Sequence, residues 1–343
     1  MRRIIPVTLI IVVLAAAGVF GWKYATRTTA STSTLPATTT IPLPIAPLTG
    51  LTDPSGASQH RPALTVKIEN IPAAMPQRGI NHADVIYEEI VEGCITRLAA
   101  VFNSSAPPQI GPIRSVRRTD REIVWPFGGI FAYSGGASYA LRSIATAPVR
   151  TFSETSAGSA MFRDNNGRVA PNNLYGIGSK LFALGGQPVP PPPLFTYRAP
   201  ADKVVGIGVK SLAVGFTGGY AVSYNWNGAT ASWDRIQFGV PDVTYDGARI
   251  SPKNVIVMDV NYLGGVCLIG AEAQMIGQGR ATVFTDGKEI KGSWHRSGFA
   301  SPATYLDAKG HVIALTPGQT WVELLYNGDV LSAVPVQTPP VKK

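Results

Sequence analysis

The sequence contains little charge, few histidines and almost no cysteine, and each shortage excludes a class of protein. Asp, Glu, Lys and Arg make up 15% of the 343 residues while 45% are hydrophobic, which excludes a chain that is disordered throughout. The four histidines show no metal-ligand spacing, and no serine lies in a nucleophile-elbow motif. The sequence therefore gives no support to a zinc enzyme or a serine hydrolase.

Cys94 and Cys267 are the only cysteines in the sequence. Such sparse use is typical of a chain whose stability comes from a hydrophobic core. Cys94 has no histidine near it in sequence, which disfavours a catalytic thiol. A disulfide between the two cysteines is permitted outside the cytoplasm and would link two separate domains.

Glycine and proline are abundant, with 36 and 28 residues spread along the chain. This distribution excludes a coiled coil or a helical bundle and predicts many turns and short strands. Lys and Arg exceed Asp and Glu by nine, but Arg2, Arg3, Lys23 and Arg27 flank the first apolar run and leave an excess of five elsewhere. That excess suits an anionic ligand or envelope surface and falls short of the dense basic footprint of a nucleic-acid-binding protein.

Residues 4–22 form an uncharged apolar run that is long enough to span a bilayer as a helix. We expect an uncleaved signal-anchor, although the small residues 15–18 also resemble the cleavage site of a signal peptide. The positive-inside rule places residues 1–3 in the cytoplasm and the bulk of the chain outside it. The sequence therefore predicts a single-pass membrane protein with an extracytoplasmic body.

Two changes in composition divide the extracytoplasmic part. A stretch rich in Thr, Ser, Pro and Ala is typical of an extended tether, and a second break with five prolines in nine residues is typical of a stiff connector. The predicted segments are a tether (23–46), a first domain (47–184), a Pro-rich linker (185–195), a second domain (196–326) and a loose tail (327–343).

Hydrophobic patterning predicts an α+β fold. In the first domain, strand-like runs such as 63–68 and 85–90 accompany helix candidates that begin at Pro112 and near Ser138. We expect a mixed α/β domain with helices packed on a sheet. The second domain has alternating runs and turn dipeptides such as Asn227-Gly228, which predict a smaller, mostly antiparallel β domain.

The helix candidate after Pro112 carries the most informative cluster of charge. Its arginines recur at i, i+3, i+4 and i+7 and would share one helical face. They are Arg114, Arg117, Arg118 and Arg121. Because guanidinium groups match phosphate oxygens in bidentate geometry, the stripe predicts a phosphate or pyrophosphate site. The alternatives are a solvated face neutralised by Asp120 and Glu122, and a contact with acidic glycopolymer or lipid headgroups.

Other polar residues could complete such a site. The Gly135-Gly136 pair lies between a short strand and a helix candidate, where its backbone N–H groups could bind phosphate or simply form a tight turn. Asn172 and Asn173 occupy a polar loop that could line the same cleft. Acidic residues on or beside the first two strands could pair with the arginines or hold a Mg²⁺ ion that bridges phosphates. They are Glu69, Asp84, Glu88, Glu89 and Glu92.

A series of short motifs follows one recognisable order along the chain. The motifs are PLTGL (47–51), RPALTVKIEN (61–70), ADVIYEEIVEG (83–93), ITRL (95–98), IGPIRSVR (110–117), SGG (134–136), APNNLY (170–175), NVIV (254–257), TVFTDGKEIKGSW (282–294) and LTPGQTWVEL (315–324). The order resembles that of the YerB-like lipoprotein family over nearly all of residues 47–325. This resemblance implies a two-domain, extracytoplasmic protein without an established activity. The chain departs from the family in lacking a lipidated cysteine, in having Cys94 in place of glycine, and in having Asn172 where a histidine is expected.

A shorter pattern in the first domain is similar to that of the LytR-CpsA-Psr cell-wall phosphotransferases. It consists of Gln77-Arg78, Asp84 before a strand, Ile113-Arg114, and a Gly-Gly turn into a helix. Those enzymes transfer glycopolymers linked to polyprenyl pyrophosphate onto peptidoglycan. The resemblance implies that Arg78, Arg114 and Arg117 bind pyrophosphate and that Asp84 helps to hold Mg²⁺.

We therefore expect a membrane-anchored envelope protein that binds a phosphate-bearing wall precursor or glycopolymer through the Arg-rich helix face. One alternative is a Mg²⁺-dependent glycopolymer phosphotransferase of the cell wall, with Asp84 and Glu88 as metal ligands. A second alternative is a non-catalytic scaffold for a protein partner. No other cofactor and no nucleic acid are expected.

Overall fold

The structure, a computed structural model, describes residues 43–185 and 187–337. The predicted signal-anchor, nearly all of the tether and the end of the predicted tail lie outside these residues. No helix within the described ranges is both long and apolar enough to cross a membrane. By their contacts the described residues form one compact unit.

Most of the regular structure consists of β-strands. The strands of the first half are β1 (Leu64–Glu69), β2 (Val85–Ile90), β3 (Thr96–Phe102), β4 (Ile130–Ala132), β5 (Arg150–Phe152), β6 (Met161–Arg163) and β7 (Leu174–Gly176). The strands of the second half are β8 (Ile207–Phe216), β9 (Tyr220–Asn227), β10 (Ser232–Gln237), β11 (Val240–Pro241), β12 (Asn254–Val260), β13 (Tyr262–Leu263), β14 (Glu272–Ala273), β15 (Gly277–Thr285), β16 (Lys288–Arg296), β17 (Thr304–Asp307), β18 (Thr320–Tyr326) and β19 (Val330–Pro335).

Helices are few and short in the described part of the chain. The α-helices are α1 (Asp120–Val124), α2 (Ser138–Ile144) and α3 (Gly178–Ala183). Turns of 3-10 helix occur at Ala57–His60, Pro72–Ala74, Ile80–His82, Glu92–Cys94 and Gly158–Ala160. The helix expected near Ser138 is confirmed. Helices of five to seven residues cannot form a layer over a sheet, so the predicted helix-packed first domain is wrong and the fold is mostly β.

Strands from both halves of the chain share one sheet. Within the described residues fifteen strands join in the order β11-β10-β9-β8-β16-β15-β12-β18-β2-β3-β1-β4-β5, with β17 beside β16 and β19 beside β8. The halves meet where β18 pairs in parallel with β2, with Thr320 opposite Val85 and Glu323 opposite Glu88. The sheet therefore continues through both predicted domains, and the exact domain boundaries stay predictions.

The strands at the centre of the sheet are buried on both faces. Every residue of β1, β2 and β3 is buried, as is nearly all of β18. Side chains alternate between the faces of a strand, so full burial requires a covering layer on each side. Charged residues in these strands, including Lys67 and Glu88, must therefore find partners inside the protein.

The helix predicted from Pro112 is wrong. The chain instead runs extended beside β1: the Glu69 N–H donates to the Pro112 carbonyl (3.0 Å) and the Arg114 N–H to the Lys67 carbonyl (2.9 Å). Helix α1 begins only at Asp120, so three of the four predicted arginines lie outside any helix. The backbone groups that a helix would pair internally are used here to extend the sheet, and the helical spacing of the arginines is coincidental.

Cys94 and Cys267 form a disulfide across 173 residues of sequence. It joins the turn between β2 and β3 to the connection between β13 and β14. The Gly93 N–H also donates a hydrogen bond to the Cys267 carbonyl (3.0 Å). The bridge that the sequence permitted is therefore present, and it ties the two halves of the chain together.

Candidate functional site

Charged residues enter the interior on both faces of the sheet. Glu88 and Glu89 are neighbours on β2, so their side chains point to opposite faces. Glu89 contacts Lys67 of β1, whereas Glu88 contacts Arg235 of β10. Two separate ionic clusters result, one on each face of the sheet.

The cluster on the Glu89 face, called here the arginine cluster, contains four cations and four carboxylates. Its members are Lys67, Arg97, Arg114, Arg117, Glu69, Glu89, Glu92 and Asp120. Strand pairing places Arg97 at its centre, opposite Glu69 of β1 and opposite Glu89 of β2. The charges balance when all eight groups are ionised.

Arg114 is fixed at one edge of its guanidinium group and open at the other. Its Nε donates to the buried Glu69 carboxylate. Neither terminal nitrogen has a hydrogen-bond partner among the described residues, and the side chain is 20% exposed. Arg114 therefore presents two oriented donors to solvent without a local carboxylate between them and a ligand.

Arg97 lies beneath Arg114 in a buried but loosely paired state. Its side chain is 4% exposed, yet its Nε is 3.5 Å from Glu69 and its Nη2 is 4.0 Å from Glu92. The Nε atom is buried without a hydrogen bond in the described part of the chain. Burial lowers the pKa of Arg97, and repulsion from Arg117 lowers it further. An incoming anion would offset both effects, because a nearby negative charge favours the charged guanidinium.

The remaining members hold the arginines in place. Glu92 receives two hydrogen bonds from Arg117, which lower its pKa below the ordinary value although burial raises it. Asp120 accepts from the Arg117 N–H (2.6 Å) and from Lys67 (2.7 Å). Burial raises the pKa of Asp120 to about 6 against the attraction of Lys67. Protonation of Asp120 below about pH 6 therefore removes one negative charge from the cluster.

The glycine pair predicted for the anion site lies beside the arginine cluster. The Ser134 N–H donates to the Arg114 carbonyl (2.9 Å), which places Gly135 and Gly136 next to this segment. A Cβ on Gly136 would lie 2.5 Å from Cγ1 of Val116, so only glycine allows the loop to approach this closely. Arg114, Arg117, Gly135 and Gly136 are thus brought together.

Arg118 and Arg121 face a different carboxylate. Arg118 Nη2 lies 2.7 Å and Arg121 Nη2 2.9 Å from the buried Glu272 of β14. The acids expected to neutralise these arginines, Asp120 and Glu122, are not the ones that pair with them. The two pairs attach the first half of the chain to the β13–β14 hairpin, and they lie outside the arginine cluster.

Arg78, Asn172 and Asn173 are not part of the arginine cluster either. Arg78 pairs with Asp164 at 2.8 Å. The Asn173 side chain accepts a hydrogen bond from Arg163 (2.7 Å), and the Asn172 backbone closes a turn. The polar loop therefore does not join the site that the arginines form.

Asp84 and Glu88 do not fit a shared Mg²⁺ site. The Asp84 carboxylate accepts from the backbone N–H groups of Asn103 (2.6 Å) and Ser104 (2.9 Å) and from the Ser104 hydroxyl. Glu88 is engaged by Arg235, and at a rise of ~3.3 Å per residue the two acids are roughly 13 Å apart along the strand. The described ranges contain no group of three or more His, Cys, Asp or Glu placed to hold a metal ion.

The second ionic cluster is sealed from solvent and centred on Arg235. Its guanidinium donates to Glu88 (2.6 Å) and Asp242, and its Nε donates to the Tyr224 hydroxyl (3.2 Å). The ring of Trp321 lies 4.3 Å from the guanidinium carbon. Its charged groups are fully buried and come from both halves of the chain, so the cluster links the two halves of the sheet.

Arg97 and Lys67 belong to the arginine cluster but were not predicted from the sequence. A usable signal was present in β1, where Lys67 and Glu69 alternate with Val66 and Ile68. This alternation places the charges on the face opposite the apolar core. No comparable local signal marks Arg235, because its partner Glu88 lies on a strand from the other half of the chain.

Comparison with known proteins gives a family for the chain. The family model described as "Protein of unknown function (DUF3048) N-terminal domain" matches residues 48–186, and the corresponding C-terminal domain model matches residues 212–322. The chain is 24% identical over 303 residues to the "Putative lipoprotein YerB" of Bacillus subtilis (strain 168), covering 84% of this chain and 88% of that relative.

A solved structure agrees with this relationship. The crystal structure of the YerB protein from Bacillus subtilis matches with a TM-score of 0.72 and 22% identity, covering 84% of this chain and 99% of that one. At this identity the likeness shows the fold, while the two family models span most of the chain. The chain therefore belongs to the DUF3048 family of two-domain proteins of unknown function.

Proposed function

We propose that this chain is a membrane-attached, extracytoplasmic envelope protein that binds a phosphate-bearing wall precursor or glycopolymer at the arginine cluster. Its relative is named as a lipoprotein, which supports a position at a membrane. The apolar run at residues 4–22 is the expected means of attachment. In this proposal the anion-binding arginines lie on an extended segment and on a strand, not on the helix face expected from the sequence.

One observation carries the binding proposal: Arg114 is held by the buried Glu69 and still leaves two donor nitrogens open. A guanidinium that is already oriented loses little side-chain entropy when an anion binds. Arg97 lies below it with long contacts only, so two arginines can share one anion. The hydroxyls of Ser115 and Ser134, which are 3.4 Å apart, provide further donors next to Arg114.

The electrostatic balance supports a phosphate group over a weaker anion. The cluster is neutral when empty, because its three arginines and Lys67 are balanced by four carboxylates in the absence of ligand. Phosphate provides several strong acceptor oxygens and can bind Arg114 in bidentate geometry. The proposed binding does not require a metal ion, because Asp84 and Glu88 do not form a shared metal site.

The test is isothermal titration of the full-length protein in lipid nanodiscs with inorganic pyrophosphate, with and without Mg²⁺. Arg114→Gln keeps a polar side chain and removes the charge and the two terminal guanidinium donors. Loss of one charged hydrogen bond to the ligand is worth about 1.5–3 kcal/mol, so we expect roughly tenfold or more weaker binding.

The matched control is Arg280→Gln, which removes an arginine that is 77% exposed and pairs with Asp259 on β12. It should leave the affinity unchanged. Equal affinity in wild type and Arg114→Gln would overturn the proposal. A pyrophosphate affinity that falls equally in both variants would indicate a general charge effect rather than a site.

A further inference from the structure

A second cleft, separate from the arginine cluster, lies beside Arg78. Its volume is about 230 Å³. The lining residues that bear on its chemistry are Arg78, Asn81, His82, Gln109, Tyr245 and Asp246. The cleft combines an aromatic ring with several polar side chains, which is the usual composition of a small-molecule site.

Tyr245 forms an exposed but well-supported wall of this cleft. Tyr245 is 61% exposed, and the guanidinium carbon of Arg78 lies 4.1 Å from the centroid of its ring. Arg78 is itself held by Asp164 (2.8 Å) and Gln109 (2.7 Å), and it also lies 4.4 Å from the ring of Tyr175. The Tyr245 N–H is anchored to the Gln77 carbonyl (2.8 Å). Arg78 thus covers one face of the Tyr245 ring and fixes it in place, while the rest of the ring surface is open to solvent.

Several polar groups around the ring are not satisfied by the described residues. The Oδ1 of Asn81 and the Nε of Arg78 are both buried without a hydrogen-bond partner. Such orphaned groups are rare in native proteins, and a ligand that carries hydroxyl or amide groups would satisfy them. Gln109 uses its carbonyl oxygen on Arg78, which leaves its amide N–H groups without a partner in the described part of the chain.

The charge of the cleft excludes a strongly anionic ligand. Arg78 is already paired with Asp164, and Asp246 adds a second carboxylate close by. A hydrogen bond from the Thr244 hydroxyl lowers the pKa of Asp246, so this group stays ionised at neutral pH. The site therefore suits a neutral ligand with one apolar face and many hydroxyl or amide groups at its edge.

We propose that this cleft binds a neutral sugar unit. A pyranose ring would place its C–H face on Tyr245 and direct its hydroxyls to Asn81, Gln109 and Asp246, which together offer amide donors, amide acceptors and a carboxylate. The inference extends the proposed function, since a wall glycopolymer carries both sugars and phosphate. It does not depend on that function, because none of these residues belongs to the arginine cluster.

The experiment titrates the full-length protein in nanodiscs with tetrasaccharides of N-acetylglucosamine, glucose and galactose, which carry no charge. At least one should bind, and Tyr245→Ala should weaken it about tenfold by removing the aromatic surface. Tyr245→Phe keeps the ring and should bind within about twofold of wild type. Arg114→Gln should leave sugar binding unchanged, so failure of one site is distinguishable from failure of the other.

A second measurement uses the Tyr245→Trp variant. The fluorescence emission of its indole should shift when a sugar ring stacks on it. The proposal is overturned if no tetrasaccharide binds to protein that melts cooperatively. It is also overturned if Tyr245→Ala binds as well as wild type.

Discussion

Glu88 and Glu323 lie opposite each other on the paired parallel strands β2 and β18, which come from different halves of the chain. Both carboxyl groups are fully buried. Burial, and then the negative charge of Glu88, raise the pKa of Glu323 well above its ordinary value, while the Tyr224 hydroxyl donates a hydrogen bond to it. Glu323 therefore keeps its proton to a higher pH than an exposed glutamate does.

We predict that Glu323→Gln flattens the dependence of stability on pH. Between the ordinary value of 4.5 and the raised pKa of Glu323, the folded state binds more protons than the unfolded state. The free energy of unfolding must then fall as pH rises through this range. Glutamine cannot ionise and can still accept the Tyr224 hydrogen bond, so it removes this contribution. Urea unfolding at a series of pH values measures the slope.

The control is Glu154→Gln, which removes a partly exposed glutamate paired with Arg163. This variant should retain the wild-type slope. Parallel curves for Glu323→Gln and wild type would contradict the assignment of the proton to Glu323.

Arg235→Met should be strongly destabilising. The change leaves Glu88 and Asp242 buried without their cation, and breaking a buried pair in this way typically costs about 3–5 kcal/mol. Arg280→Met removes an exposed partner of Asp259 and should cost less than about 1 kcal/mol. Similar losses of stability in the two variants, measured by chemical denaturation, would show that the Arg235 cluster does not join the halves of the sheet.

The strands that consist of short apolar runs were predictable from the sequence. The run predicted at 85–90 coincides with β2, and the run predicted at 63–68 differs from β1 by one residue, because each is a short, mostly apolar segment. The helix near Ser138 was also predicted. Pairing between distant strands, such as β18 with β2, was not predictable, since no local pattern encodes a partner more than 200 residues away.

The arginine site was predictable in composition but not in structure. Spacing at i, i+3, i+4 and i+7 is a helical signal, yet the chain from Pro112 to Val116 pairs with neighbouring backbone as an extended segment. Tertiary hydrogen bonding thus overrode the local pattern. Arg97 was not predicted as a site residue. The role of a charged residue in a buried strand depends on its partners on neighbouring strands, here Glu69 and Glu89.

Loss of the disulfide should loosen the contact between the halves. Removing a native disulfide typically costs about 2–5 kcal/mol, and the bridge between Cys94 and Cys267 closes a long loop. Cys94→Ala should lower the midpoint of urea unfolding relative to oxidised wild type. Reductant should lower the wild-type midpoint to a similar value and have no effect on the variant. A wild-type midpoint that is insensitive to full reduction would contradict the prediction.

Anion binding at the arginine cluster should strengthen as pH falls through about 6. Burial raises the pKa of Asp120 to about 6, so below that value the cluster holds four cations and three carboxylates. Dimethyl phosphate is the appropriate probe, because a phosphodiester keeps one negative charge over pH 5–8. Its affinity should rise by several-fold between pH 7.5 and 5.5, and by linkage its binding should raise the pKa of Asp120 by the same free energy. Asp120→Asn keeps an oxygen acceptor for Lys67 and cannot titrate, so its affinity should not change over this range. The same pH dependence of affinity in wild type and Asp120→Asn would contradict the prediction. It would show that a group other than Asp120 titrates in this range.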